Sequence, residues 1–293
     1  MKLGCYVPLS GSDKVYGAVL KMLEYGANCM MGYTGAPTNT LRSPIDLNSV
    51  KKAEELLLAH NLSLETIIIH APYILSLPSP EAEKRAFSRE FLAKEIERTN
   101  QIGGKFLVFH SGSYKDNLED GIKRLADSLN KALEKTKDTS VVLLLETSAG
   151  KGTEIGKNFD EIRQVIELIN DKSRIGVCLD TCHIYDAGYD IKNNLKEVLA
   201  DFEQTVGLNY LKVIHLNDSV HGLNSHRDRH ANIGYGQLGF EALCEICWHP
   251  KLIDIYKILE TPYDVVPPYK EEIQMLRNKK FNDFLKTKGE KNE

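Results

Sequence analysis

A chain of 293 residues with 42% hydrophobic and 27% charged side chains has the make-up of a folded globular protein and excludes a disordered or fibrous one. A net charge of −4 gives no sign of a nucleic-acid partner recognised by bulk positive charge, although bound divalent cations would reverse the local field. No apolar run approaches the roughly 18 residues that span a bilayer, and the first eight residues lack the basic-then-apolar pattern of a signal peptide, so a cytoplasmic protein with no membrane partner is expected.

Strand-like runs alternate with helical patterns along the whole chain. A strand over 2–7 is followed by a helix over 14–24, a strand over 27–32 and a helix over 49–60 behind the caps offered by Asp46 to Ser49. A strand over 66–70 leads to a helix over 81–102, introduced by Pro78 and Pro80, where proline is tolerated in the first turn. Then come a strand over 105–110, a helix over 118–133, a strand over 141–146, and a helix over 159–169 with Asn158 and Asp160 at its start. A strand over 175–180, a helix over 194–202, a strand over 211–215, a helix over 240–247, a strand over 256–260 and a final helix over 268–285 complete the order.

Eight such alternations predict a parallel sheet, and right-handed crossovers close it into an α/β (β/α)₈ TIM barrel. A barrel uses about 250 residues, so one catalytic domain over 1–285 and a charged tail over 286–293 are expected. A doubly wound open sheet is the structural alternative, but it would gather functional residues only at its switch point.

Two motifs are set aside. Cys244-x-x-Cys247 has redox or zinc spacing, yet no second pair follows and its helix is apolar; it reads as core filling, and all six cysteines are expected to be reduced. Gly150-Lys151-Gly152-Thr153 lacks the leading glycine of a phosphate-binding loop, so no nucleotide cofactor is expected; Ser111 and Ser148 lack the context of a nucleophile.

What a core does not need is a metal-binding residue at the end of six of these strands: His70, His110, Glu146, Asp180, His215 and Glu260. Parallel strands place all six at the C-terminal rim of a barrel, where the chemistry of this fold resides. The loops after the sixth and seventh strands add Asp180-Thr181-Cys182-His183 and Asp228-Arg229-His230, bringing the shell to five His and four carboxylates. Any one of these alone reads as a hydrogen-bonded structural group. Together they would repel or desolvate one another without cations among them. Imidazole with carboxylate favours Zn²⁺, with Mn²⁺ or Fe²⁺ open, and nine ligands divide among roughly three ions. His60, His221, His226 and His249 fit no strand end and read as surface or loop residues.

The segments Ile69-His70-Ala71-Pro72-Tyr73, Leu145-Glu146-Thr147, Cys178-Leu179-Asp180-Thr181-Cys182-His183, Ala187-Gly188-Tyr189-Asp190, His215-Leu216-Asn217-Asp218, Asp228-Arg229-His230 with Asn232-Ile233-Gly234, and Leu259-Glu260-Thr261-Pro262 resemble the endonuclease IV family of apurinic/apyrimidinic-site DNA repair enzymes. The resemblance runs from about Met1 to Pro262 with every motif in order. It implies three Zn²⁺ per chain, Mn²⁺ being an option at one position. One ion would be held by His70, His110 and Glu146, a second by Glu146, Asp180, His215 and Glu260, and a third by His183, Asp228 and His230. Glu146 would be the bridging ligand and would orient the nucleophile. The substrate implied is double-stranded DNA with an abasic site, cut 5′ to the lesion to leave a 3′-hydroxyl and a 5′-deoxyribose phosphate, by a monomeric enzyme. The family further implies DNA contacts from the loops carrying Tyr33, Gly35, Asn39, Tyr73 and Ile74, entering the minor groove beside a base-free nucleotide that flips out cheaply. The chain departs from the family in having Tyr6 where a His is usual, and in lacking an Arg that some members carry within residues 33–40. The competing reading is a sugar isomerase or epimerase of the xylose-isomerase-like barrel type, for which Glu146, Asp180, His215 and Glu260 alone would suffice.

Overall fold

A computed structural model describes residues 1–11, 13–262 and 268–284. Eight parallel strands close into a barrel: β1 (Lys2–Tyr6), β2 (Met30–Gly32), β3 (Ile67–His70), β4 (Phe106–His110), β5 (Val142–Glu146), β6 (Ile175–Asp180), β7 (Leu211–His215) and β10 (Tyr256–Leu259). β10 pairs with both β7 and β1, which seals the ring. A two-stranded antiparallel ribbon, β8 (Asp218–Ser219) with β9 (His230–Ala231), stands outside it. The helices are α1 (Lys14–Glu24), α2 (Leu47–Ala59), α3 (Ala82–Ile102), α4 (Leu118–Lys135), α5 (Phe159–Glu167), α6 (Thr181–Asp186), α7 (Leu195–Thr205), α8 (Phe240–Trp248) and α9 (Tyr269–Asn278). The expected TIM barrel is present, with a helix over each of the eight predicted segments and α6 in addition to them.

The period-2 geometry of the strands orients the rim. Ile68, Val108, Leu144, Cys178, Val213 and Ile258 belong to the cluster that fills the barrel interior. Side chains two residues apart on a strand share a face. His70, His110, Glu146, Asp180, His215 and Glu260 each lie two residues beyond one of these six, so all six turn into the mouth of the barrel. The register sets His110 beside Glu146 and Asp180 beside His215. The alternate residues, such as Ile67, Ile69, Leu107, Leu143 and Leu145, face the surrounding helices in a second, larger core.

Three of the boundaries that differ from expectation have a clear local reason. The strand expected over 27–32 is shortened to β2 because Asn28 uses its side chain instead, accepting from the Leu3 N–H and donating to the Met1 carbonyl. α2 begins before Ser49 because Asp46 caps it by accepting from the Asn48 and Ser49 N–H groups. α9 stops at Asn278, where Lys279 takes a left-handed φ of 52°. The tail expected over 286–293 lies outside the described residues. All six cysteines are free thiols, and Cys247 packs into the core as expected. Among the described residues, no helix is long and apolar enough to cross a membrane.

Candidate metal centre

The barrel mouth opens into a cleft of about 640 Å³, whose walls include Tyr73, His110, Glu146, His183, Asp228, His230 and Glu260. Glu146 is the hub. One of its oxygens lies 3.0 Å from His70 Nε2 and 3.6 Å from His110 Nε2. The other lies 2.9 Å from His215 Nδ1 and 3.6 Å from His183 Nδ1. His215 Nδ1 also approaches Glu260 Oε2 at 3.0 Å and Asp180 Oδ2 at 3.8 Å. Further out, His183 Nε2 meets Asp228 Oδ1 at 3.0 Å, and His230 Nε2 lies 3.4 Å from Asp180 Oδ2 and 3.8 Å from Asp228 Oδ1.

Donor atoms within 4.8 Å of one another fall into sets able to hold an ion: His70, His110 and Glu146; Glu146, Asp180, His215 and Glu260; and His183, Asp228 and His230. Asp180, Cys182 and His230 form another, which the sequence does not single out. Glu146 belongs to two of the sets, Asp180 to two and His230 to two, so the nine expected residues form one continuous basin.

The imidazoles are oriented for ligation from behind. His70, His183 and His230 turn Nδ1 toward the backbone carbonyls of Ala71 at 2.6 Å, Thr147 at 2.8 Å and Glu260 at 3.2 Å. Donation of Nδ1–H to a carbonyl fixes the tautomer and leaves Nε2 to bind a cation, the usual arrangement behind a metal-binding imidazole. His215 is reversed: Nε2 faces Met31 Sδ at 3.2 Å and Nδ1 faces the carboxylates. Buried His230 Nε2 has no hydrogen-bond partner, although two carboxylate oxygens stand near it. A cation among these atoms would satisfy all three, so the residues fit the metal centre that the donor chemistry implies.

The electrostatics are those of a site crowded with opposite charges. Burial pushes the Glu146 carboxyl up, but His110, His215 and His70 outweigh it and hold it well below the ordinary carboxylate range. Burial likewise acts against Glu260, and His215 overrides it to bring the carboxyl down to about 2. His183 is driven down by burial, yet Asp180, Asp228 and Glu146 raise it well above the usual imidazole value. The His110 imidazole is pressed down to about 4, chiefly by loss of hydration.

Several groups that hold this basin together are invisible in the pattern of strand ends. The segment after β6 is helix α6 and not the expected loop: the Asp180 carboxylate caps it by accepting from the His183 N–H at 2.9 Å. One carboxylate therefore starts a helix and reaches the basin. Asn217 donates to the other oxygen of Asp180 at 2.8 Å and accepts from the Glu260 N–H at 2.8 Å. Buried Asp218 accepts from the backbone N–H groups of Ser219, Gly234, Gly236, Leu238 and Gly239, folding the segment that follows His230 around itself. Gly236 has to be glycine, because a Cβ there would stand 2.4 Å from Asp218 Oδ1 and from the Ser219 carbonyl. Lys151, set aside as part of a nucleotide-loop look-alike, pairs with Asp228 Oδ2 at 2.6 Å on the cleft wall. His226, read as a loop residue, directs Nδ1 to the Ala149 carbonyl at 2.8 Å and ties that loop to the segment carrying Asp228.

The residues expected at DNA lie on two joined rim loops. Tyr73 is 57% exposed beside the cleft and Ile74 is half-buried. Tyr33 is buried beneath them and donates its hydroxyl to the Tyr73 hydroxyl at 2.7 Å, while Tyr6 packs edge-on against Tyr33 at 5.8 Å. Gly35 lies against the Arg42 guanidinium, where a Cβ would come within 2.6 Å of Nη1. Asn39 is exposed, and its side-chain carbonyl accepts from the Leu41 N–H at 3.0 Å.

The family profile described as a xylose isomerase-like TIM barrel matches residues 19–279, so the chain is a member of that class of barrels. The protein named probable endonuclease 4 from Acholeplasma laidlawii is 47% identical over 291 residues, 99% of each chain, and its namesake from Staphylococcus saprophyticus is 42% identical over 297 residues, 98% of this chain and 99% of that one. The crystal structure of endonuclease IV from Thermus thermophilus superposes with a TM-score of 0.84 at 31% identity, covering 95% of this chain and 98% of that one. A D-tagatose 3-epimerase-like protein superposes with a TM-score of 0.69 at 18% identity over the whole of both chains, a likeness of fold alone. Within the xylose isomerase-like barrels, this chain belongs to the endonuclease IV family, and it is an enzyme of the hydrolase class.

Proposed function

We propose that the protein is a zinc-dependent apurinic/apyrimidinic endonuclease of base excision repair, acting in the cytoplasm on double-stranded DNA. It hydrolyses the phosphodiester 5′ to an abasic site and leaves a 3′-hydroxyl and a 5′-deoxyribose phosphate. The observation that carries this reading is the merging of the three expected donor sets into one basin through Glu146, Asp180 and His230.

His70, His110 and Glu146 would hold one ion; Glu146, Asp180, His215 and Glu260 a second; His183, Asp228 and His230 a third. Bound there, divalent cations lower the pKa of water toward neutrality and offset negative charge on the phosphate and on the departing oxygen. The chain's own residues supply the rest. Glu146, as the shared ligand, orients the nucleophile. Asn217 and the carbonyls behind the imidazoles hold the ligands in place before substrate arrives, so little reorganisation accompanies the reaction. Lys151 on the cleft wall adds a cation within reach of a phosphate. Tyr73, supported by Tyr33, stands where a rim side chain can fill the gap left by a missing base.

A sugar isomerase would use only the set of Glu146, Asp180, His215 and Glu260. It leaves His70, His110, His183, Asp228 and His230 with their nitrogens and oxygens converging for no purpose, which is why the nuclease reading is preferred.

Elemental analysis of the purified protein, paired with incision of a duplex containing one abasic-site analogue, tests the proposal. About three zinc equivalents and a single nick 5′ to the analogue, abolished by a strong chelator, are expected. A single Mn²⁺ with no incision would favour the isomerase, and equal cutting of intact duplex would defeat the selectivity argument.

A further inference from the structure

Asp228 presents its two carboxylate oxygens to opposite surroundings. Oδ1 faces its donor set, 3.0 Å from His183 Nε2 and 3.8 Å from His230 Nε2. Oδ2 meets the Lys151 ammonium at 2.6 Å. One carboxylate thus stands between a set of cation donors and a cation that the chain itself supplies.

The loop after β5 is built to deliver that ammonium. Gly150 and Gly152, on either side of Lys151, take left-handed φ values of 76° and 58°, which glycine adopts without strain. The Lys151 N–H donates to Glu154 Oε2 at 3.2 Å, and the Glu154 N–H donates to the Lys151 carbonyl at 3.2 Å, so the turn closes on itself. On one side His226 ties the Ala149 carbonyl to the segment that carries Asp228. On the other, the Tyr114 N–H donates to the Thr153 carbonyl at 3.0 Å and joins the loop to the one after β4.

Stability does not account for the pair. The Lys151 side chain is 43% exposed and that of Asp228 24%, and an ion pair so open to water contributes little. Nor is Lys151 needed to place Asp228, whose N–H is held by Asp186 Oδ2 at 2.9 Å. What the ammonium changes is charge. The set of Glu146, Asp180, His215 and Glu260 offers an ion three carboxylates, whereas the set of His183, Asp228 and His230 offers one. Lys151 cancels the formal charge of that one. Cation affinity follows the charge that the ligands bring and falls when a like charge stands close by.

We infer that Lys151 is a positioning residue that acts through Asp228: it confines Asp228 to its inward oxygen and weakens the hold of the third donor set on its cation, so that this ion exchanges while the others stay. The inference rests on the proposed assignment of three ions to three sets. Free zinc then governs the enzyme through this set alone.

The test is equilibrium dialysis of the whole protein, without DNA, against buffers of fixed free zinc, followed by elemental analysis, with thermal unfolding recorded for each variant. The parent is expected to fill about two equivalents first and a third only at higher free zinc. Lys151→Met is expected to move that third step to about tenfold lower free zinc, and Lys151→Arg to leave it where the parent has it. Lys115→Met removes an ammonium that lines the same cleft without an ion pair to Asp228, and it should leave the step unmoved. In a His183→Ala background, which lacks a donor of this set only, Lys151→Met should change nothing. The free zinc that gives half-maximal incision of an abasic duplex should fall with the third step in Lys151→Met. A third step that stays in place in Lys151→Met overturns the inference. So does one that moves to higher free zinc, since the ammonium would then be holding Asp228 for the ion, and so does a parent whose three equivalents fill together. A parent that takes up no third equivalent brings down the three-ion reading as well; a parent that takes up three in two steps, with Lys151→Met indistinguishable from it, brings down this inference alone.

Discussion

Asn217 donates its side-chain N–H to Asp180 Oδ2 at 2.8 Å from a fully buried position just beyond β7. The same residue accepts from the Glu260 N–H, so it ties the Asp180 carboxylate to the backbone that carries Glu260, another member of the same donor set. Asn217→Asp keeps the shape and replaces the donor with an oxygen facing Asp180. Loss of a supporting hydrogen bond of this kind costs roughly 10–100-fold in metal affinity or activity. The expected outcome is a fall of that size in abasic-site incision together with lower zinc occupancy in elemental analysis. Parent-like values of both would mean that Asp180 is oriented without Asn217.

Asp186 controls the position of Asp228. Asp228 sits at a φ of 52°, a left-handed conformation that costs energy for a residue with a Cβ. Its N–H is held by Asp186 Oδ2 at 2.9 Å, and the Ser219 hydroxyl donates to the other Asp186 oxygen at 2.7 Å. Asp186→Ala leaves the Asp228 backbone N–H without its acceptor, at a cost of about 1–3 kcal/mol. Denaturant unfolding should register that loss. Metal analysis should show about one equivalent fewer of roughly three, taken from the set of His183, Asp228 and His230. Retention of the full complement would show that Asp228 finds its place unaided.

Lys257 has no part in the centre and offers a test of burial energetics. It is wholly buried on β10, facing away from the barrel interior, and its Nζ donates to the Leu252 carbonyl. Loss of hydration lowers its ammonium from the ordinary 10.5 to about 8. Between these values the unfolded chain binds more protons than the folded one, so the contribution of this group to stability rises with pH across that window. Below about pH 8 its full cost is present. Lys257→Met should therefore stabilise the protein at pH 7 by about 1–3 kcal/mol, and the gain should shrink by pH 10. Cys29 and Cys247, raised to about 12 mainly by burial, work in the opposite direction but are common to both proteins. Urea unfolding of the pair at the two pH values decides the matter; a gain that is the same at both would refute the assignment.

Much of the rim is legible in the chain because it follows from local periodicity. An apolar run that ends in His or a carboxylate states both the strand and, through its period of two, the face on which the last side chain lies. That reasoning places His70, His110, Glu146, Asp180, His215 and Glu260 together. His183, Asp228 and His230 come from short motifs close to those ends, although nothing in the motifs predicts the helical turn that presents His183. Asp180 caps that turn through its own side chain, a use of the carboxylate that the apolar pattern does not encode.

Only the tertiary structure could reveal the supports. Lys151 meets Asp228, 77 residues away in sequence, and Arg42 meets Glu95, 53 residues away. Polar residues in loops and on mixed helices carry no periodic mark of their partner, since a hydrogen bond across the fold depends on two distant backbones arriving at one distance and angle. The chain alone therefore determined the barrel, the direction of its strands and the residues that can ligate, because these follow from spacing along a single element. Which atoms converge, which nitrogen each imidazole leaves free, and which Asp228 oxygen faces Lys151 were decided by the closing of the ring.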